Sequence, residues 1–361
     1  MTENDFLVCI STYVGFGPVR LTLLKNYFGT YENIWKLSKK ELKEVNLSDK
    51  LIDGFVEHRK NFDFDKYQLK LAKLAIGIIT HSDANYPSNL SELSNAPQVL
   101  YIKGELCQND SNAIAIVGSR KMTHYGREVA AKFAGELSDF GVTIVSGLAL
   151  GIDAVAHNAC LASGGRSIAV LASGLDTITP QQNYYIAKKI FDGKKGAIVS
   201  EYPLGTPALK TNFANRNRII SGLSKAVIVV EGQHKSGTLL TARAAAEQGR
   251  TVFAVPGQIT SPMSEAPLYL IENGARLATS TRVVLEEMNM QFKVDKKQVE
   301  KIMPTDELER KIYILLKNEA KHIDEIAREI KLDIGKLQSK LSMMELKGLV
   351  NCDDGLYRVR N

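Results

Sequence analysis

Six short apolar runs constrain this chain more than any other feature: "AIAIVG" (113–118), "VTIVSG" (142–147), "SIAVLAS" (167–173), "GAIVS" (196–200), "AVIVVEG" (226–232) and "TVFAVPG" (251–257). Segments with helical spacing lie between them: about Gly126 to Phe140, "DAVAHNACLA", "NYYIAKKIF", a short "NRNRIISGL" and "TLLTARAAAEQG". A strand with no polar face must be covered on both sides, and a helix between successive strands keeps them parallel. The pattern therefore predicts an α/β domain built on a parallel sheet.

The flanks read differently. Residues 1–60 alternate apolar clusters at helical spacing with polar breaks, and "VGFGPVRLTLLKNYFG" sets two glycines and a proline just before a helix, so a small helical domain is expected. The segment "LAIGIITHSDANYPSNLSELSNAPQVLYIKG" reads as strand, loop and strand, and belongs with the sheet domain, expected over 61–288. Residues 289–305 are polar with few packing positions and read as a linker. In 306–361, three amphipathic runs precede an extended pair around "VNCDDGLYRVR", the pattern of a winged helix.

Several classes are disfavoured. No run approaches the eighteen or so apolar residues of a membrane span, and "MTENDFLVCISTYVGFGPVR" lacks the basic start and cleavage signal of a secretory peptide, so a cytoplasmic protein without membrane insertion is expected. Cys9, Cys107, Cys160 and Cys352 are far apart, and no close His and acid set has metal spacing, so no disulfide, metal or cofactor is expected. There is no G-x-x-x-x-G-K-[ST] run, and the first strand of the sheet domain lacks G-x-G-x-x-G. A formal net charge of +6 favours polyanionic partners.

The candidate site lies at the predicted strand ends. In "AIAIVGSRKMTHYGRE", Gly118 turns tightly, Ser119 offers a hydroxyl and Arg120 a planar set of donors, suited to a phosphate or to a structural salt bridge. In "SGLALGIDAVAH", Ser146, Gly147 and Gly151 let the backbone approach a ligand. Asp153 and His157, four apart, form a general base pair or, more simply, a helix-stabilising carboxylate and a hydrogen-bonded imidazole. The long loop "EYPLGTPALKTNFANRNR" is expected to project Lys210, Arg216 and Arg218 from the same edge, with Phe213 either a base-stacking ring or a loop anchor. "GQHKSG" supplies Gly232, Ser236 and Gly237 as a third polar crest.

From about Leu74 to Leu285 the chain resembles the DNA-processing protein A family, also called Smf. The runs that carry the likeness are "IVGSR" with "YG" following, "SGLALGIDAVAH", "GGRSIAVLASGLD", "SEYPLGTP", "RNRIISGLS", "VVEGQHKSGTLLTARAAAEQGR" and "VFAVPG". The resemblance implies an extended Rossmann-like domain that binds single-stranded DNA without hydrolysing it, a homodimer, and a role in natural transformation in which a RecA-type recombinase is loaded on the protected strand. It carries the family's pocket onto Gly118, Ser119, Arg120, Lys210 and Phe213, with Arg216 and Arg218 in the paired-arginine run, one of which could instead brace the loop. It likens the first domain to a sterile-alpha-motif (SAM-like) module. It likens the last to a winged helix whose third helix, with Lys336, Lys340 and Lys347, would touch duplex DNA, a protein, or neither. Where the family commonly has Phe-Pro before the paired arginines this chain has "FANRNR", and where it has Tyr-Pro after "GLD" this chain has "TITPQQN".

The expectation is thus a non-enzymatic mediator with no catalytic residue and no small-molecule substrate. Two other readings stand beside it. One is a nucleotide or ribose-phosphate hydrolase using Glu201 or Asp153 in the same crevice. The other is a protein adaptor with incidental DNA binding.

Overall fold

A computed structural model describes residues 1–234, 236–289, 306–346, 349–353 and 355–359. The chain divides into two compact units, Met1–Gln291 and Phe292–Asn361. The proposed boundary at residue 60 falls inside the first, and 290–305 of the expected linker lie outside the described residues.

The first unit opens with helices α1 (Glu3–Ser11), α2 (Pro18–Phe28), α3 (Tyr31–Lys36), α4 (Lys39–Leu42), α5 (Asp49–Asn61) and α6 (Phe64–Lys73). Their starts follow local chemistry. The Thr2 hydroxyl and the Asp5 carboxylate cap α1 reciprocally, Pro18 at the first turn of α2 follows Gly17, and Asp63 accepts from the Lys66 amide at α6.

Then come β1 (Gly77–Thr80), α7 (Ser88–Ser91), β2 (Val99–Gly104), β3 (Ala113–Val117), α8 (His124–Asp139), β4 (Thr143–Ser146), α9 (Ile152–Ala162), β5 (Ser167–Val170) and α10 (Tyr184–Asp192). These are followed by β6 (Gly196–Ser200), α11 (Lys210–Gly222), β7 (Ala226–Val229), α12 (Gly237–Glu247), β8 (Thr251–Ala254), α13 (Glu265–Glu272), β9 (Arg276–Leu277) and α14 (Thr281–Glu287). The described strands form one sheet in the order β1-β2-β6-β5-β4-β3-β7-β8-β9. From β6 to β9 all pairings are parallel, whereas β1 and β2 add an antiparallel edge.

The period of two sorts each strand between faces. On β3, Ile114 and Ile116 pack with Ala130, Phe133 and Ile152 of α8 and α9, while Ala113, Ala115 and Val117 pack with Ile219, Ile220 and Ala242 of α11 and α12. Tyr101, Leu171 and Ile198 share their cluster with Leu7, Leu24, Ile34 and Phe55, so the N-terminal helices close the face that α10 also covers. After β3 the chain winds one way through β4, β5 and β6, then returns to place β7 on the other side of β3. Connections leaving β3 and β7 diverge, which opens a crevice at the carboxyl ends of those two strands.

The second unit contains α15 (Glu307–Asn318), β10 (Lys321–His322), α16 (Ile323–Ile330), α17 (Ile334–Leu346), β11 (Val350–Asp353) and β12 (Leu356–Val359), with the strands ordered β10-β12-β11. Ile312, Leu316, Ile326, Leu337, Leu341 and Val350 make its core. The whole is an α/β fold with helices at its N-terminus and a winged helix at its C-terminus.

Candidate nucleic-acid interface

The crevice between the β3 and β7 crests has a volume of about 660 Å³ and is lined by Gly118, Ser119, Arg120 and Lys121 from one crest and by Gln233, Ser236, Gly237 and Thr238 from the other. Lys210, Phe213, Arg216 and Asn217 of α11 form its third side. Of the residues expected here, Gly118, Ser119, Arg120, Lys210, Phe213 and Arg216 are brought together.

Lys210 and Phe213 stand on the first turn of α11, not on the expected loop. Pro203 and Pro207 precede the helix, the Asn212 side chain donates to Pro207 O at 3.1 Å, and no breaker interrupts 208–222, so the turn continues into the helix. This stiffens the site: the Arg120 guanidinium lies 4.9 Å from the centre of the Phe213 ring, and that of Arg216 lies 5.8 Å away. The ring is half-buried with both guanidinium groups nearby, Arg120 and Lys210 are exposed, and Arg216 is only 4 % exposed.

Arg216 is a brace. It donates to Gly147 O at 2.7 Å, to Val170 O, and to Asn217 Oδ1 at 3.3 Å, tying α11 to the ends of β4 and β5. Gly147 is required because a Cβ there would lie 2.5 Å from Arg216 Nη1. Burial lowers the pKa of Arg216 to about 10, opposed by the Asp153 carboxylate and reinforced by Arg120, so it remains a cation at neutral pH. Burial raises the carboxyl of Asp153, opposed by Arg216 and by the amides of Ala149 and Gly147, which donate to Oδ2 at 3.3 and 3.1 Å.

Gly151 has φ +82°, and a Cβ there would meet Ser119 O at 2.2 Å. This contact, with the Ile152 amide donating to Ser119 O at 3.2 Å, sets the β4 crest against the β3 crest and fixes where Arg120 emerges. Ser146 does not reach the crevice: it is fully buried and donates to Ile116 O at 2.6 Å. Arg218 does not reach it either. Two residues along a helix is a rotation of about 200°, so Arg218 leaves the opposite side of α11 and pairs with the buried carboxylate of Glu201. Asp153 and His157 follow the simpler alternative. The buried His157 shares a 2.7 Å hydrogen bond through Nδ1 with Ser167 Oγ, and burial, with Arg216 nearby, lowers its pKa to about 3.

Lys121, Gln233, Asn217, Thr238 and Thr241 also line the crevice and were not singled out from sequence. Adjacency to Arg120 was the available signal for Lys121, and the "GQHKSG" crest the signal for Gln233. The start of α12, whose Gly237 and Thr238 line the crevice, receives no side-chain cap, and Ser236 Oγ is buried without a partner among the described residues; uncapped amides at a helix start are donors suited to an anion.

In the second unit, Lys336 is exposed on α17, whereas Lys340 is held by Asp306 and, at 3.2 Å, by Glu309; those bonds raise its pKa. Lys347 lies outside the described residues. Cys9 and Cys160 are buried and Cys107 and Cys352 exposed, all as free thiols, and the described residues hold no cluster of three or more His, Cys, Asp or Glu able to bind a metal.

A family model described as DNA recombination-mediator protein A matches residues 77–289, and one described as DprA winged helix domain matches 297–355. The chain is 34% identical over 392 residues to Protein Smf of Synechocystis sp., covering 98% of each chain. It is 42% identical over 221 residues to DNA processing protein DprA of Bacillus subtilis, covering 60% of this chain and 74% of that one. The X-ray structure of DNA processing protein A from Streptococcus pneumoniae aligns with a TM-score of 0.66 at 34% identity, over 80% of this chain and 98% of that one. DNA processing protein A from Helicobacter pylori, described with a unique single-stranded DNA binding mode, aligns at 0.54 and 28% identity, over 60% of this chain and 97% of that one.

Proposed function

Because this chain belongs to the DNA recombination-mediator protein A family, we propose that the crevice is where it performs the family's role, binding single-stranded DNA as a recombination mediator without a chemical step. The observation that carries this reading is the convergence of exposed Arg120 and Lys210 with the Phe213 ring on an open cavity beside the uncapped start of α12. Arg120, Lys121 and Lys210 neutralise phosphates, amides at the β7 crest donate to phosphate oxygens, and Phe213 offers a face to a base. None of these contacts reads a base edge, so binding tolerates sequence.

A hydrolase would need a free acid or base. Asp153 accepts from two amides beside Arg216, and Glu201 is paired with Arg218. Both are committed to the fold, which favours the binding reading.

The sheet order supports a Rossmann-like description of the large domain. The reading extends to natural transformation in the cytoplasm, to loading of a RecA-type recombinase on the held strand and to a homodimer. No helix among the described residues is long and apolar enough to cross a membrane. Exposed Leu277 (48%), on the short edge strand β9, is surface that pairing of two copies would cover. Sedimentation equilibrium over a range of concentrations tests the dimer, and a persistent 39.8 kDa species would exclude it.

The site itself is tested by titrating labelled oligonucleotides of different sequence. Arg120→Ala and Lys210→Ala are each expected to weaken binding about tenfold, ~1.4 kcal/mol, on every sequence. Each should also reduce the log–log salt slope by about 0.7. Titration curves superimposable on those of the unsubstituted chain would remove the crevice from consideration.

A further inference from the structure

The exposed face of α10 carries an anomaly. Ile186, Ala187 and Ile190 fill the core, as an amphipathic helix requires, yet the solvent side presents two aromatic rings, Tyr184 at 42% and Tyr185 at 51% exposure. Each is followed four residues later by an exposed lysine, Lys188 and Lys189, and the Lys189 ammonium lies 5.7 Å from the centre of the Tyr185 ring. Asn158 donates to the Tyr185 hydroxyl at 3.0 Å, which seats that ring against α9.

Lys188 and Lys189, like most lysines of this unit, have no ion pair among the described residues, and Asp192 at the end of α10 pairs with neither. Uncompensated cations interleaved with exposed rings suit a polyanion that has flat bases to stack, which is single-stranded nucleic acid.

Position supplies the third observation. α10 begins at the same carboxyl edge as the crevice, and Asn183, immediately before Tyr184, is buried and donates to Leu148 O at 2.8 Å and Ala149 O at 3.0 Å. Ala149 lines the crevice. One side chain therefore joins the crevice wall to the residue that opens the tyrosine pair.

We propose that Tyr184, Tyr185, Lys188 and Lys189 form a second contact track for single-stranded DNA, taking up the strand as it leaves the crevice. The inference rests on the reading of the crevice given above and extends it. A strand short enough to be held by the crevice alone does not reach α10, and a longer one stacks on the tyrosines with its phosphates on the lysines.

The test compares labelled oligothymidylates of about six and about twenty nucleotides, lengths that bracket the reach of one such module. Tyr184→Ala/Tyr185→Ala is expected to weaken the long oligonucleotide about tenfold or more while leaving the short one unchanged, and Tyr184→Phe/Tyr185→Phe to restore it, since phenylalanine keeps the stacking face. Lys188→Ala/Lys189→Ala should lower the salt slope for the long oligonucleotide by about 1.4. Equal losses at both lengths, or none at either, would overturn the track while leaving the crevice intact. Failure of the unsubstituted chain to bind either length would instead take down the crevice reading, and the track with it.

Discussion

At the scale of single residues, the two arginines of "RNR" show how one helix divides identical chemistry. Arg216 is buried on carbonyls of two strands beside Asp153, and Arg218 is paired with Glu201 across the helix. Replacing a buried cation leaves its acceptors and its counter-charge unpaired, so Arg216→Met is expected to destabilise the fold by about 3–5 kcal/mol. Exposed Arg120→Ala should shift stability by no more than about 0.5 kcal/mol while weakening DNA binding. Urea denaturation of both variants checks the contrast, and equal stability losses would contradict it. His157 makes a pH prediction. Its folded pKa of about 3 lies below the 6.5 of a free imidazole, so the unfolded chain binds the extra proton first. Stability is complete above about pH 6.5 and falls with decreasing pH, approaching ~1.4 kcal/mol per unit for this group alone. Denaturation midpoints between pH 7 and pH 5, expected to fall with a shallower slope in His157→Gln, measure it. Sequence placed His157 on a helix with Asp153. Its burial was not legible, because burial depends on which side of α9 meets the sheet.

At the scale of elements, the strands were legible because a sheet covered on both faces leaves no room for polar residues, and the runs at 113–117 and 226–229 are buried along their whole length. The start of α11 was not. Lys210, Thr211, Asn212 and Phe213 carry no strong helix signal, and the turn forms because the Asn212 amide donates to Leu209 O while its side chain and the Leu209 amide both donate to Pro207 O. The antiparallel edge made by β1 and β2 also depends on a distant partner, β6, which no local pattern names. What aligns the crests is the junction of Gly151 with Ser119. Gly151→Ala places a Cβ in a left-handed backbone conformation and 2.2 Å from a carbonyl oxygen, a strain of about 1–2 kcal/mol before the crest shifts. Gly151→Ala is therefore expected to lose both stability and DNA affinity, whereas Lys210→Ala loses affinity alone. Thermal denaturation and oligonucleotide titration of the two variants separate the effects, and a Gly151→Ala protein with unaltered affinity would show that the β3 crest does not depend on this contact.

At the scale of the whole molecule, the division at 291/292 leaves two units with separate apolar cores. The first buries a sheet on both faces together with the N-terminal helices. The second relies on a much smaller cluster around Ile312, Leu337 and Leu341, and small domains bury a smaller fraction of their surface on folding. Two cooperative transitions are therefore expected on heating the full chain, the one belonging to the winged helix at lower temperature. Every residue assigned to the crevice and to the α10 track lies in the first unit, so a chain ended at residue 289 should keep its affinity for short single-stranded oligonucleotides within about twofold, well inside the ~1.4 kcal/mol that a tenfold change represents. Calorimetry of the full chain and titration of the shortened one check both statements. A single transition in the full chain would mean that the two cores unfold as one, and loss of affinity on shortening would move part of the binding energy into the winged helix, where exposed Lys336 is the first residue to substitute.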